Sequence, residues 1–180
     1  MDINSIFKEE LDRATSSIWS KSISLKRNEF LAKAGQYNPY LYFVETGALR
    51  IFVEQEAEEL TIRFGYQGSF ISSLDSFLGD RPSTFSIQAL KKSQVKVIHK
   101  KDFKQLLDKN ISFLQLWQKA LEQLVLQQLE REIDILTQSP QERYKRVLQR
   151  SPQLFQEVPN KYIASYLRMS PETLSRLKKS

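Results

Sequence analysis

Three spacings of apolar residues follow one another along the chain, and the places where they change divide it. In residues 3–19, Ile3, Ile6, Phe7, Leu11 and Ile18 recur at helical intervals and predict an amphipathic helix. From about Ser22 to Ile98 the pattern shortens to β-rich runs at 22–25, 29–34, 40–45, 48–53, 60–64, 83–89 and 94–98. Gly35, Asn38-Pro39, Gly47, Gly65, Gly68 and Gly79-Asp80 fall between or beside them as turn residues. Seven or eight short strands with no long helix between them predict an antiparallel barrel or jelly roll. A short helix near Asp102 to Leu107 closes this region, and the period then returns to helical.

Residues 111–136 contain neither Gly nor Pro and predict one helix of roughly 40 Å at 1.5 Å per residue. Leu114, Trp117, Leu121, Leu124, Val125, Leu129, Ile133 and Leu136 form an apolar stripe on a helix otherwise rich in Gln and Glu. A small barrel covers only part of such a stripe. The remainder, around Trp117, Leu121, Leu124, Val125 and Gln128, is a candidate dimer interface; the alternative is a helix buried wholly within one subunit.

Beyond this helix, three Ser-Pro steps punctuate the tail. Ser139-Pro140-Gln141-Glu142 reads as a capping box opening a helix that runs to Arg150. Ser151-Pro152 starts a brief turn of helix, Pro159 opens another, and Ser170-Pro171 opens a last one. In residues 158–180 the apolar Ile163, Leu167, Met169, Leu174 and Leu177 are spaced so that two short helices bury them against one another across a tight turn. The chain thus reads as an α+β protein in three parts: 1–109 a β-roll with flanking helices, 110–137 a long linking helix, and 138–180 a small helical unit.

Composition changes the picture in two ways. The 180 residues are 41% hydrophobic and 27% charged, enough for one sizeable core and a small appendage, and the absence of Cys excludes disulfides, thiolate nucleophiles and Cys-ligated metal or iron–sulfur centres. The charge is unevenly distributed. Residues 140–180 carry nine Lys and Arg (Arg143, Lys145, Arg146, Arg150, Lys161, Arg168, Arg176, Lys178, Lys179) against three acids, whereas residues 1–139 balance, so the net +6 of the chain lies in the tail. A basic unit on a neutral one is the asymmetry expected when one end meets nucleic-acid phosphates; the alternative is a solvated Lys-rich end. The N-terminus lacks the apolar core of a signal peptide and no stretch reads as a membrane span, so a soluble, cytoplasmic protein with no membrane partner is expected.

This order of elements resembles the cyclic AMP receptor protein and Fnr (Crp-Fnr) family of bacterial transcription regulators, over nearly the whole chain. The most specific parts are the tail IASYLRMSPETLSRLKK and the segment LYFVETGALRIF, with Gly47 at a strand turn. The resemblance implies a cyclic-nucleotide-binding-like roll, a dimer joined along the long helix, and a helix-turn-helix binding double-stranded DNA, with RNA polymerase as a further partner. It makes the segment from Pro171 to Lys179 the recognition helix. Glu172 and Arg176 then read bases, while Ser170, Thr173, Ser175, Lys178 and Lys179 contact phosphates. Ala164 matches the small residue where the two helices touch. Arg168 departs from the pattern, since a Gly is usual at the turn; a left-handed non-Gly residue there costs about 1–2 kcal/mol. With the chain ending at Ser180, the family's β-hairpin wing is expected to be missing.

The resemblance also tests the roll. Cyclic-nucleotide-binding members carry a Glu for the ribose and an Arg followed by a small hydroxyl residue for the cyclic phosphate. Here Ser69 to Ser73 include no Glu, and Ser83 and Thr84 stand where the Arg and Ser belong, with Arg81 two residues early and Pro82 interposed. Cyclic AMP binding is therefore not expected. Arg81, Ser83 and Thr84 remain a candidate pocket for another anion or effector, against the alternative of a loop that only closes the roll. No cofactor is implied. The lone imidazole, His99, has no catalytic partner at recognisable spacing and no metal-ligand cluster appears, so no enzymatic activity is expected. The competing functional reading is a ligand-binding roll acting through protein partners, with a vestigial DNA-binding tail.

Overall fold

The computed structural model describes residues 3–14, 18–56 and 58–179. Helix α1 (Ile3–Ala14) leads into strands β1 (Lys21–Leu25), β2 (Phe30–Ala32), β3 (Tyr40–Thr46), β4 (Ala48–Gln55), β5 (Glu58–Tyr66) and β6 (Phe70–Ile71). A six-residue helix, α2 (Leu74–Gly79), precedes β7 (Ser86–Ala89) and β8 (Ser93–His99). Five helices complete the chain after α3 (Lys100–Lys109): α4 (Ile111–Leu136), α5 (Pro140–Arg150), α6 (Pro152–Glu157), α7 (Asn160–Tyr166) and α8 (Pro171–Leu177). The first predicted helix extended to residue 19; its stretch at 15–17 lies outside the described residues.

The strands form two antiparallel four-stranded sheets, ordered β1-β8-β3-β6 and β2-β7-β4-β5. Their facing sides enclose the roll's core of Leu25, Tyr42, Val44, Leu49, Ile51, Ile71, Ile87, Val95 and Val97. Strands β3 and β4 are buried on both faces, which is why YLYFV reads as a continuous apolar run and ALRIF is apolar but for Arg50, instead of alternating. On the outer side of the first sheet, Leu41 and Ile98 pack with Phe7 and Leu11 of α1, Phe77 of α2, Phe103 of α3 and Phe113 of α4. On the outer side of the second, Ala48 packs with Val147, Leu154, Val158, Ile163, Leu167 and Leu174 from the C-terminal helices. The tail therefore shares a core with the roll.

Local chemistry sets the joints. Gly47 turns β3 into β4 at φ +97°, and a Cβ there would lie 2.1 Å from Ser93 Oγ and 2.6 Å from Ser93 Cα, so only Gly fits. Asn110 caps α4 by accepting from the Ser112 and Phe113 amides, and Ser139 caps α5 by accepting from the Glu142 amide at 3.3 Å, as its capping-box sequence predicts. Strand β6 and helix α2 are additions to the sequence reading: two and six residues are too few to carry a period.

Candidate functional site

The C-terminal pair, α7 and α8, is joined by a tight turn at Leu167 to Ser170. Ile163, Ala164, Leu167 and Leu174 are fully buried between the pair and the rest of the tail, so the small side chain of Ala164 lies in the core as expected. Arg168 sits in the turn at φ +53°, the left-handed conformation a Gly takes without strain. Ser170 caps α8, its hydroxyl accepting from the Thr173 amide at 3.2 Å. Glu172, Ser175, Arg176, Lys178 and Lys179 are exposed on or just beyond α8, and Thr173 is half-buried. Arg176 is exposed, its guanidinium reaching the Thr173 hydroxyl at 3.5 Å. The Glu172 carboxyl is held below its ordinary pKa by its own backbone amide and the Ser170 hydroxyl, an anion at a helix N-terminus. Lys178 is turned aside: its ammonium donates to Asn160 Oδ1 at 2.7 Å.

Three of the tail's nine basic residues face inward or into ion pairs. Arg143, buried, donates from Nη1 to the Thr137 carbonyl at 2.9 Å and from Nη2 to the Arg168 carbonyl at 3.2 Å, clamping the turn. Arg146 and Arg150 both reach the fully buried Asp134 and the exposed Glu130 of α4. Reading the whole tail charge as phosphate-facing therefore overstates it; Lys145, Lys161, Arg168, Arg176, Lys178 and Lys179 remain exposed. Composition cannot tell a cation that fastens helices from one that meets solvent.

The tail is docked on the second sheet through α7. Ser165 Oγ accepts from the Thr61 amide at 3.2 Å and donates to the Glu59 carbonyl at 3.2 Å, serving the open edge of β5. Buried Arg50 of β4 lies between the rings of Phe52 and Tyr162, 4.0 and 4.5 Å from their centroids, and donates to Gln88 and Glu59. Glu59, in the acidic stretch that opens β5, thus serves a buried cation.

On α4 the structure separates the residues read as a dimer interface. Trp117 points inward and packs edge-on against Phe103 at 5.0 Å. Leu121 and Leu124 are half-buried beside the roll, and Gln128 accepts from Arg63 Nη2 at 2.8 Å. Val125 is exposed, in line with Leu126, Leu129, Ile133 and Leu136, which are 46–79% exposed at helical spacing. The apolar side chains that α4 leaves exposed in one chain therefore lie mostly farther along the helix than Trp117.

The roll's candidate anion pocket is occupied by its own side chain. The Asp75 carboxylate of α2 accepts from Ser83 Oγ at 2.8 Å, the Thr84 amide at 2.7 Å, the Thr84 hydroxyl at 3.0 Å and the Ser76 amide at 2.9 Å. Burial pushes its pKa up, but these hydrogen bonds outweigh that and hold it below the ordinary value. Arg81 is exposed beside this loop and takes no part. Sequence reasoning missed Asp75; its place at the second position of a six-residue helix gave no periodic signal.

His99 accepts from the Lys101 amide through Nδ1 at 3.0 Å and stacks edge-on with Tyr40, a capping role at the start of α3. Among the described residues no group of three or more His, Asp or Glu is arranged to hold a metal ion, and no helix is long and apolar enough to cross a membrane.

Two sheets closed by helices, followed by a long helix and a helical tail, define a cyclic-nucleotide-binding type of roll. Residues 22–110 match the cyclic nucleotide-binding domain family. The whole fold is similar to a CooA mutant from Carboxydothermus hydrogenoformans, with a TM-score of 0.72 at 15% identity over 88% of this chain and 74% of that one. FixK2 from Bradyrhizobium japonicum gives 0.70 at 17% identity, covering 88% and 82%. The catabolite activator protein of Thermus thermophilus gives 0.57 at 20% identity, covering 95% and 81%. At these identities the likeness is one of fold. No curated protein matches the chain in sequence.

Proposed function

We propose that the chain is a dimeric, DNA-binding transcription regulator of the Crp-Fnr type whose roll does not take cyclic AMP. The observation that carries the reading is the exposed face of α8, where Glu172, Ser175, Arg176 and Lys179 stand clear of the docked tail on a fold shared with regulators of this architecture. Arg176 donates to guanine O6 and N7, Glu172 accepts from cytosine N4, and Ser170, Thr173, Ser175 and Lys179 meet phosphates, with Lys178 joining them once it leaves Asn160. The exposed α4 seam of Val125, Leu126, Leu129, Ile133 and Leu136 pairs two copies, so that two α8 helices meet half-sites about 34–36 Å apart. RNA polymerase is the further partner this reading implies.

The roll's cassette supports the second half of the proposal. A cyclic phosphate entering beside Ser83 and Thr84 meets the Asp75 carboxylate, an anion already holding the donors it needs. Titration of the chain against mixed genomic fragments at rising salt tests the first half. Affinity falls by about 0.9 log units per log unit of salt for each phosphate neutralised, and absence of binding at low salt overturns the regulator reading. Calorimetry with cyclic AMP tests the second, and saturable binding at the roll overturns it.

A further inference from the structure

Between the roll, the long helix and the helical tail lies a cavity of about 220 Å³, separate from the Asp75 loop. Arg63 of β5, Arg131 of α4 and Arg150 of α5 line it, with Gln127, Gln128 and Tyr166, and no acidic side chain among the described residues does so. Arg150 has its counter-charges in Asp134 and Glu130. Among the described residues the other two guanidiniums form no ion pair, although Asp134 acts on Arg131 from beyond contact distance. Among the described residues Arg63 donates to neutral amides alone, Gln127 Oε1 at 3.2 Å and Gln128 Oε1 at 2.8 Å. Arg131, 7% exposed, gives Nη2 to the Tyr166 carbonyl and lies 3.8 Å from the centre of the Tyr166 ring, while its Nη1 is buried with no acceptor.

A buried guanidinium with an unsatisfied donor, beside a second, half-buried one that has no carboxylate partner, is an unusual arrangement, because a buried cation is normally paired and each of its donors satisfied. Burial lowers the pKa of both, outweighing the opposing pull of Tyr166 on each and of Asp134 on Arg131. A planar fork of donors fits a tetrahedral oxyanion, which accepts from several N–H groups at once. At about 220 Å³ the cavity falls below the roughly 300 Å³ at which sites for drug-sized ligands begin, a size that suits a single anionic group.

We propose that this cavity is a binding site for a small phosphate-class oxyanion, free or as the head of a phosphate ester, held by Arg63, Arg131 and Arg150. The ligand's oxygens supply the acceptor that Arg131 Nη1 lacks. Because the three arginines belong to the roll, the long helix and the tail, the bound anion ties the three parts together. Its influence on DNA affinity rests on the regulator reading; binding of the anion does not.

Thermal unfolding and calorimetry of the full chain with sodium phosphate, against sodium chloride at equal ionic strength, test the site without DNA. The expected result is a saturable upward shift in melting temperature with phosphate and none with chloride. Arg63→Gln, which leaves the Arg131 clamp on Tyr166 in place, is expected to keep its melting temperature in chloride and to bind phosphate at least tenfold more weakly. Glycerol phosphate in place of phosphate separates the sources: tighter binding marks the ester as ligand, weaker binding the free anion. Equal shifts in phosphate and chloride overturn the proposal, as does an Arg63→Gln variant that folds and binds phosphate as the parent does. Failure of DNA binding leaves the phosphate isotherm untouched, so the two readings fail separately.

Discussion

Replacing Asp75 with Ala removes the carboxylate that four donors share, and its effect can be worked from their surroundings. Thr84 is exposed, so its amide and hydroxyl turn to water when the carboxylate goes. Ser83 Oγ keeps its contacts with the Phe85 backbone, and the Ser76 amide keeps the Ser73 carbonyl at 3.0 Å, so neither shielded donor is orphaned. What is lost is the charge assistance of two part-buried bonds and the fastening of the 83–85 loop to α2, together about 2–3 kcal/mol. At roughly 2–4 °C per kcal/mol for a chain of this length, melting falls by about 4–12 °C. The pH dependence identifies the cause. The folded pKa of Asp75 lies below the ordinary 3.8, so its stabilisation is present in full above that value and is lost as pH falls through the folded pKa. The gap between parent and variant is therefore constant from neutral to mildly acidic pH and narrows below about 3.8. Scanning calorimetry across pH measures it. Coincident melting of the two proteins at neutral pH, or a gap that stays constant through the most acidic samples, refutes the role given to the carboxylate.

Further substitutions probe the tail and the seam. Arg168→Gly relieves the left-handed strain at φ +53° but loosens the unfolded chain, for a net gain of about 0.5–1 kcal/mol in chemical denaturation; a loss shows that the Arg168 side chain holds the turn. Arg143→Ala leaves the Thr137 and Arg168 carbonyls short of a donor and lowers stability by about 2–4 kcal/mol, with faster proteolysis after α5; unchanged proteolysis removes Arg143 from the clamp. Leu129→Glu places a charge in the exposed α4 stripe and is expected to convert dimer to monomer in sedimentation with the melting temperature nearly unchanged, whereas an unaltered sedimentation profile moves the seam elsewhere. Arg176→Ala costs about 1–3 kcal/mol of DNA affinity and relaxes preference at one base pair, while Lys179→Ala weakens all sequences alike; equal effects on every sequence reject Arg176 as a base reader.

Much of the architecture is written in local signals. Gly47 with its forbidden Cβ, the Ser139 and Ser170 caps, and the unbroken period of 111–136 each act within a few residues, so spacing alone places β3, β4, α4, α5 and α8 close to their observed bounds. What spacing does not reveal is which surface meets which. The stripe on α4 runs continuously through Trp117 and Leu129, yet one lies in an aromatic cluster with Phe103 and the other is half-exposed, because the roll covers only the helix's first turns. Arg143 and Lys179 contribute equally to net charge, though one fastens a turn and the other faces solvent. The Asp75 loop was illegible for a further reason. Its hydrogen bonds span eight or nine residues across irregular chain, where neither helical nor strand period operates.

The docking of the tail limits how α8 can move. Ala48, Leu90, Phe64 and Tyr66 of the roll share one cluster with Leu154, Ile163 and Leu167 of the tail, and Arg50 lies buried between Phe52 and Tyr162. Lifting the tail away would expose this surface and leave Arg50 with one aromatic face and its Gln88 and Glu59 contacts open to water. Such a separation has to offset lost apolar burial at about 25 cal/mol per Å², so free swinging of the tail about the α4–α5 joint is disfavoured in a single chain. A change that repositions α8 must therefore act on the contacts joining roll, long helix and tail: the Ser165 bridge to β5, the Arg131 hold on Tyr166, and the Arg150 and Arg146 pairs with Asp134. These contacts surround the arginine-lined cavity on several sides. Small shifts there move α7, and α8 follows because Arg143 and the shared core of Ile163, Leu167 and Leu174 bind the two helices into one body.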